Sequence, residues 1–195
     1  EIHRLFKADR YNQAIQEVIR ASARVVLIPY TFAIVLGSRL RNGMFAQWTS
    51  GTTVAPDGWA VTGGITVARV ATLRWGGLYS AQITSGGSLG RFQQALRDYS
   101  DFDPTSDTAT VVMKVHWVGS GSVVRAFVYD GVTYQYSGYH AGTGTRDLTV
   151  DAVDLSNVLT ELTCGLQVES GTGQTITLLK PRLSYGATLY TYELP

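Results

Sequence analysis

The stretch VVRAFVYDGVTYQYS, residues 123–137, gathers the densest set of side chains able to do chemistry. Arg125, Tyr134 and Tyr136, with Tyr139 just beyond, supply a guanidinium, phenol hydroxyls and flat apolar rings. Such a set breaks no bond. It suits non-covalent recognition, in which a sugar ring or a partner protein stacks on the aromatics while polar tips make hydrogen bonds. Alternating residues around Asp130-Gly131 predict a β-hairpin with these two as a type I′ turn. In that register Tyr129 faces Val132, Phe127 faces Tyr134 and Arg125 faces Tyr136. One face is then aromatic with an arginine, and the other holds Val124, Ala126, Val128, Thr133 and Gln135. The aromatic face has two readings. Large rings favour packing into a core, the preferred reading, whereas the arginine and the phenols favour an exposed binding surface.

Bond-breaking chemistry has no candidate. His3, His116 and His140 stand far apart in no metal-ligand spacing, and the single cysteine, Cys164, sits in the alternating run LTCGLQV as a core thiol. There is no G-x-S-x-G, H-E-x-x-H or P-loop. GGITVARV and HAGTGTRD read as glycine-containing turns rather than phosphate loops. Asp101, Asp103 and Asp107 in DYSDFDPTSD read as a solvated turn, and a structural calcium is the only cofactor such a cluster would suggest. No catalytic residue and no cofactor are expected, so the chain reads as a non-enzyme. A net charge of +1 gives no electrostatic footprint for nucleic acid.

The elements that must hold the hairpin are strands. Across 195 residues, 45% are hydrophobic and only 16% charged, with 21 glycines and 11 tyrosines, a composition for many short strands joined by tight turns. TATVVMKVHWVG alternates with Ala109, Val111, Met113, Val115 and Trp117 on one side. ELTCGLQVES, GTGQTITLLK and ATLYTYEL continue the pattern. The expected fold is mainly β, an antiparallel two-sheet jelly-roll sandwich over residues 42–195. Residues 1–41 differ. LFKADRYNQAIQEVIRASAR reads as a helix with Tyr11, Ile15, Val18 and Ile19 on one stripe. VVLIPYTFAIVL, residues 25–36, reads as an extended apolar arm interrupted by Pro29, too short to span a membrane. Its burial under the following domain or against another chain is open on pattern alone. Because the sandwich looks complete without it, Ile15, Val18, Ile19, Val26, Ile28, Phe32, Ile34 and Leu36 are the expected interface of an anchor or homo-oligomer, with a trimer conceivable.

NGMFAQW, residues 42–48, followed by PDGW, residues 56–59, puts Trp48 and Trp59 at one corner, where they would close an end of the core. This pair resembles the start of the carbohydrate-binding-module-like jelly rolls of the galactose-binding-like group, where an Asn-Gly-x-Phe-x-x-Trp strand leads to a Pro-x-Gly-Trp turn. GGLYSAQIT, TGTRDLTVDAVDLS and GQTITLLKPRLSYG look similar in order, so the resemblance spans about residues 42–190. One departure stands out: Thr145 and Arg146 replace the tryptophan of a Gly-Thr-Trp pattern. Such domains also occur in tailed-phage virion proteins. The resemblance therefore implies a non-catalytic phage virion structural protein (fibre, spike or capsid decoration) that projects a jelly roll for particle assembly or attachment to a host-surface glycan. Its partners would be other virion proteins. The alternative it implies is an extracellular carbohydrate-binding module of a secreted glycan-active enzyme, although no Pro/Ser/Thr linker flanks the domain.

Overall fold

The period-two patterns become antiparallel strands. A computed structural model describes residues 40–75, 77–96, 108–119, 122–155, 162–171 and 173–185. They hold β1 (Ala60–Val70), β2 (Ser80–Leu96), β3 (Thr108–Trp117), β4 (Ser122–Tyr129), β5 (Tyr134–Tyr136), β6 (His140–Ala141), β7 (Gly144–Asp154), β8 (Leu162–Val168) and β9 (Thr175–Tyr185). Among the described residues there is no helix, and none long and apolar enough to cross a membrane. The expected N-terminal helix, the apolar arm, the aspartate cluster and the ATLYTYEL strand lie outside the described residues. So do all eight expected interface residues.

The hydrogen-bonded order is β5-β4-β8-β2-β9-β3-β7, with β1 on β2 and β6 on β4. One long strand explains how this continuous ladder makes two layers. Residues 90–96 of β2 pair with β8, while residues 81–84 pair with β9. β1 follows both halves, with an irregularity between Gly63 and Ile65. β3 and β7 then pack on β4, and β3 on β8, across the core. The result is a barrel-like sandwich whose layers share a strand. Glycine makes the bend possible: Gly63 has φ 72°, and a Cβ there would collide with the Leu89 carbonyl oxygen. GGITVARV is therefore strand β1 and not the expected turn. Its paired glycines bend the strand at a bulge without taking it out of the ladder.

The predicted inner face of β3 is buried from Ala109 to Trp117, together with Cys164, Leu166 and Val168 of β8. Burial pushes the Cys164 thiol up to about 12, which leaves an inert core thiol, as its sequence context implies. Trp48 and Trp59 are also core. Trp59 stacks on Phe92 with centroids 4.7 Å apart and meets Phe45 at 5.5 Å, while the Trp48 indole donates to the Phe45 carbonyl. NGMFAQW itself is a turn followed by irregular chain, not a strand. Asn42 and Phe45 take φ of 49° and 52°, which no ladder accommodates. Asn42 holds that turn through its amide: Nδ2 donates to the carbonyls of Gln47 and Asp57, and Oδ1 accepts from the Gln47 amide. Leu40 is buried too, and Gln94 exchanges hydrogen bonds with the Arg41 backbone, so the packed domain includes both residues.

His140 is a buried group that responds to acid. Its ring meets Trp117 edge-on at 5.7 Å, and Nε2 lies 3.1 Å from the Gly144 carbonyl. Burial, helped by the charges of Arg146 and His116, holds its pKa below the ordinary value. The unfolded chain then binds the proton more tightly. The neutral ring therefore stabilises the fold fully above about pH 6.5, and that contribution is lost as pH falls through the lowered folded value. The melting midpoint should fall between about pH 7 and pH 5, and fall less in His140→Gln. Parallel curves for the two proteins would assign the acid sensitivity to another group.

Candidate functional site

The hairpin forms, but its turn is displaced. Phe127 pairs with Tyr136, Val128 with Gln135 and Tyr129 with Tyr134. The Asp130 amide donates to the Thr133 carbonyl at 3.3 Å, which makes Gly131 (φ 97°) and Val132 the central residues in place of Asp130-Gly131. The cause is the Asp130 carboxylate. It accepts from the amides of Val132 (2.8 Å) and Thr133 (2.6 Å) and from the Thr133 hydroxyl (3.0 Å), which fastens Asp130 as a closing residue. Burial pushes its pKa up, but these hydrogen bonds outweigh that and hold it below the ordinary value. Relative to the expected register the partner strand has slipped by two residues. A slip of two keeps every side chain on its face.

The preferred reading of those faces is overturned. Val124, Ala126 and Val128 enter the core cluster, while Arg125, Phe127 and Tyr129 point the other way with Tyr134 and Tyr136. An interior that already holds Trp117, Met113 and Leu166 takes the narrow side of β4. Phe127 is nonetheless fully buried, because a second layer covers it: the Tyr134 ring at 5.7 Å and the Arg91 guanidinium at 5.8 Å.

That covering layer brings all four expected ligand-binding residues together. Tyr129 and Tyr134 stack at 4.4 Å, and Tyr134 and Tyr136 lie nearly parallel at 5.9 Å. The Arg125 guanidinium sits 3.7 Å from the Tyr136 ring and 4.8 Å from that of Tyr139. Tyr134 and Tyr139 keep 40% and 38% of their surface exposed, so the row is presented to solvent and not sealed. Each guanidinium over a ring face gains about 0.5–1 kcal/mol at such an exposure and loses rotational freedom. These contacts bias the row toward one arrangement before any ligand arrives.

Three further residues complete the site and were not singled out from sequence. Across β2, β8 and β4, Arg91 and Arg125 both pair with Gln167, which lies between them. Arg91 Nε donates to Gln167 Oε1 at 3.2 Å and its guanidinium lies 4.5 Å from the Tyr134 ring. Gln167 Nε2 donates to Glu169 Oε1 at 2.9 Å, and the Tyr139 hydroxyl donates to the same oxygen at 2.8 Å. Arg125 Nη2 is 3.6 Å from it. Burial pushes Glu169 up, yet the hydrogen bonds from Gln167 and Tyr139 and the charges of Arg125 and Arg91 hold it below the ordinary carboxylate value. The hydrogen bond to Glu169, then burial, raises the Tyr139 phenol. Glu169 is thus a fixed anion that orients donors. Thr145, where the resemblance would place an aromatic pattern, lies on β7 of the other layer, with its hydroxyl 2.9 Å from His116 Nδ1. The substitution there leaves this surface untouched. Among the described residues no group of three or more His, Cys, Asp or Glu could hold a metal ion.

No family model matches the sequence, and no curated protein matches it. Solved structures do. A family 61 carbohydrate-binding module in complex with β-1,4-galactotriose is 14% identical, with a TM-score of 0.53 over 75% of this chain and 97% of that one. The C-terminal family 22 carbohydrate-binding module of Clostridium thermocellum Xyn10B is 13% identical, with a TM-score of 0.54 over 79% of this chain and 96% of that one. A cyclase from Fischerella sp. TAU, in complex with 4-(1H-indol-3-yl)butan-2-one, is 15% identical, with a TM-score of 0.55 over 78% and 98%. These likenesses agree with the sequence motifs on one point: the chain has the jelly-roll fold of carbohydrate-binding modules.

Proposed function

We propose that the chain is a non-catalytic glycan-binding protein and that the Tyr134–Tyr136–Arg125–Tyr139 row is its binding face. The observation that carries this is the exposed, pre-ordered row itself, with its apolar ring surface, phenol hydroxyls and guanidinium donors side by side. A sugar needs that mixture, since its C–H faces pack on rings while its hydroxyls seek fixed polar partners. Fold alone would not decide between binding and catalysis, because a cyclase shares it. The state of Glu169 favours binding: a carboxylate held below its ordinary value by two hydrogen bonds and the charge of Arg125 is poorly placed to donate or take a proton near neutrality. The test is a glycan array probed with the folded chain. Retention of a discrete set of glycans is expected, and an array with no retained glycan would overturn the reading.

The setting we propose is a phage virion, as a fibre, spike or capsid-decoration protein that joins other virion proteins and presents the row to a host-surface glycan. The support is in the sequence. Residues 25–36 hold Val25, Val26, Leu27, Ile28, Phe32, Ile34, Val35 and Leu36 around Pro29. Each large aliphatic side chain gains roughly 1.5–3 kcal/mol when fully buried, so an anchoring or homo-oligomeric contact assisted by Ile15, Val18 and Ile19 is favoured. The alternative setting, a module of a secreted glycan-active enzyme, would use the same face. Light scattering separates them. The chain should be an oligomer, and the chain cut before Leu40, which retains Leu40 and Arg41, a folded monomer. A monomeric full chain, or a truncated one that fails to fold, would count against the anchor.

A further inference from the structure

Resting on that reading, we infer that the ligand of this face is an acidic glycan, one whose sugars carry a carboxylate, and that Arg91 is the residue that reads it. The two arginines of the site are in different states. Arg125 is paired with a carboxylate: its Nη2 lies 3.6 Å from Glu169 and its guanidinium sits by the rings of Tyr136 and Tyr139, while its Nε is buried without a hydrogen-bond partner. Arg91 is not. Its Nε is used by Gln167 at 3.2 Å, and the Tyr134 ring at 4.5 Å fixes the plane of the guanidinium. Among the described residues its terminal nitrogens have neither a hydrogen-bond acceptor nor a carboxylate within ion-pair distance, and they reach solvent.

An arginine fixed through Nε and over a ring, with its Nη donors open, is a fork for a planar two-oxygen anion. The charge count agrees. Arg91 and Arg125 against Glu169 leave one positive charge, and the unbalanced one is Arg91. Glu169 does not repel the incoming anion at full strength, because Arg125 stands beside it and Gln167 separates it from Arg91. Tyr134, half exposed beneath the same guanidinium, offers the ring on which that sugar's apolar face rests. Both ends of a uronic acid residue thus meet a suitable partner on one spot of the face.

The experiment is affinity electrophoresis and calorimetry of the full chain with polygalacturonate, alginate and hyaluronan, each beside the same polymer after chemical reduction of its carboxyl groups. At least one acidic polymer should bind about ten-fold or more tightly than its reduced form, with an affinity that falls as salt rises. Arg91→Gln should remove that preference, bringing the acidic polymer down to the affinity of its reduced form, while circular dichroism shows the strand fold retained despite the lost contacts to Phe127 and Tyr134. Arg91→Lys should restore only part of it, since an ammonium lacks the fork. Equal binding of acidic and reduced forms, or a preference that survives in Arg91→Gln, overturns the carboxylate inference. Failure of all six polymers overturns it too. In either case neutral glycans held on the array, and lost when Tyr134 is removed, would leave the aromatic binding face standing.

Discussion

Replacing Trp59 with alanine should destabilise the domain by about 3–5 kcal/mol, the usual cost of truncating a large buried aromatic. Trp59 is the centre of a three-ring cluster, stacked on Phe92 at 4.7 Å and tilted against Phe45 at 5.5 Å. Little of the loss would come from its hydrogen bond. The Arg41 carbonyl that accepts from the indole at 3.2 Å also accepts from Gln94 Nε2 at 2.9 Å, so it keeps a partner in the variant. The cavity dominates, and the two predictions that follow differ. Trp59→Phe keeps a ring against Phe92 and should cost about 1–2 kcal/mol, well below the alanine value. Since domains of this size are commonly stable by only 5–15 kcal/mol, the alanine variant should show a clearly lower urea midpoint by circular dichroism. A change below about 1 kcal/mol would mean that the 40–59 segment is draped on the sandwich and is not part of its core.

Much of the fold is legible because burial follows local period. β3 carries Ala109, Val111, Met113, Val115 and Trp117 at every second position and all five are buried, although Thr110 and Val112 between them are buried too, and both early tryptophans land in the core. What is not legible depends on partners distant in sequence. GGITVARV looks like a turn because two glycines usually end a strand. Here they bend one that runs through both layers. The hairpin turn moves by one residue, and the register by two, because a carboxylate, not the Asp-Gly pair, fixes where it closes. Alternation in LTCGLQV puts Gln167 on the face opposite Cys164, but β8 is buried along its entire length, and only its pairing with β2 and β4 shows that Gln167 lies between Arg91 and Arg125. Gln94 shows the converse. It occupies an inward position of β2 as a polar residue because the Arg41 and Gly58 backbones need its amide. Three of the four candidate site residues, Arg125, Tyr134 and Tyr136, are readable since they lie on one local hairpin, and Tyr139 follows just beyond it. Arg91 and Glu169 are not, as only the pairing of β2 and β4 with β8 brings them there.

Removing Tyr134 and Tyr136 together should weaken glycan binding by about thirty-fold or more, corresponding to roughly 2 kcal/mol, the threshold for an aromatic hot spot. Tyr134 carries the larger share. It is the more exposed ring, and Arg91 and Tyr129 hold it at 4.5 and 4.4 Å, so it reaches a ligand with little freedom left to lose. Its loss also uncovers Phe127, which costs some stability; a fall in binding is therefore meaningful only beside the right controls. Tyr134→Phe keeps the ring over Phe127 and should retain most of the affinity if stacking is the main contribution. Tyr136→Ala alone should act differently, through Arg125, because that ring holds the guanidinium at 3.7 Å; the affinity loss should be smaller and come with a change in which glycans are preferred. An array profile that is the same for the double alanine variant and the parent chain would exclude this face, however well the domain resembles modules that bind sugars. The row would then be a lid over Phe127, kept for stability alone.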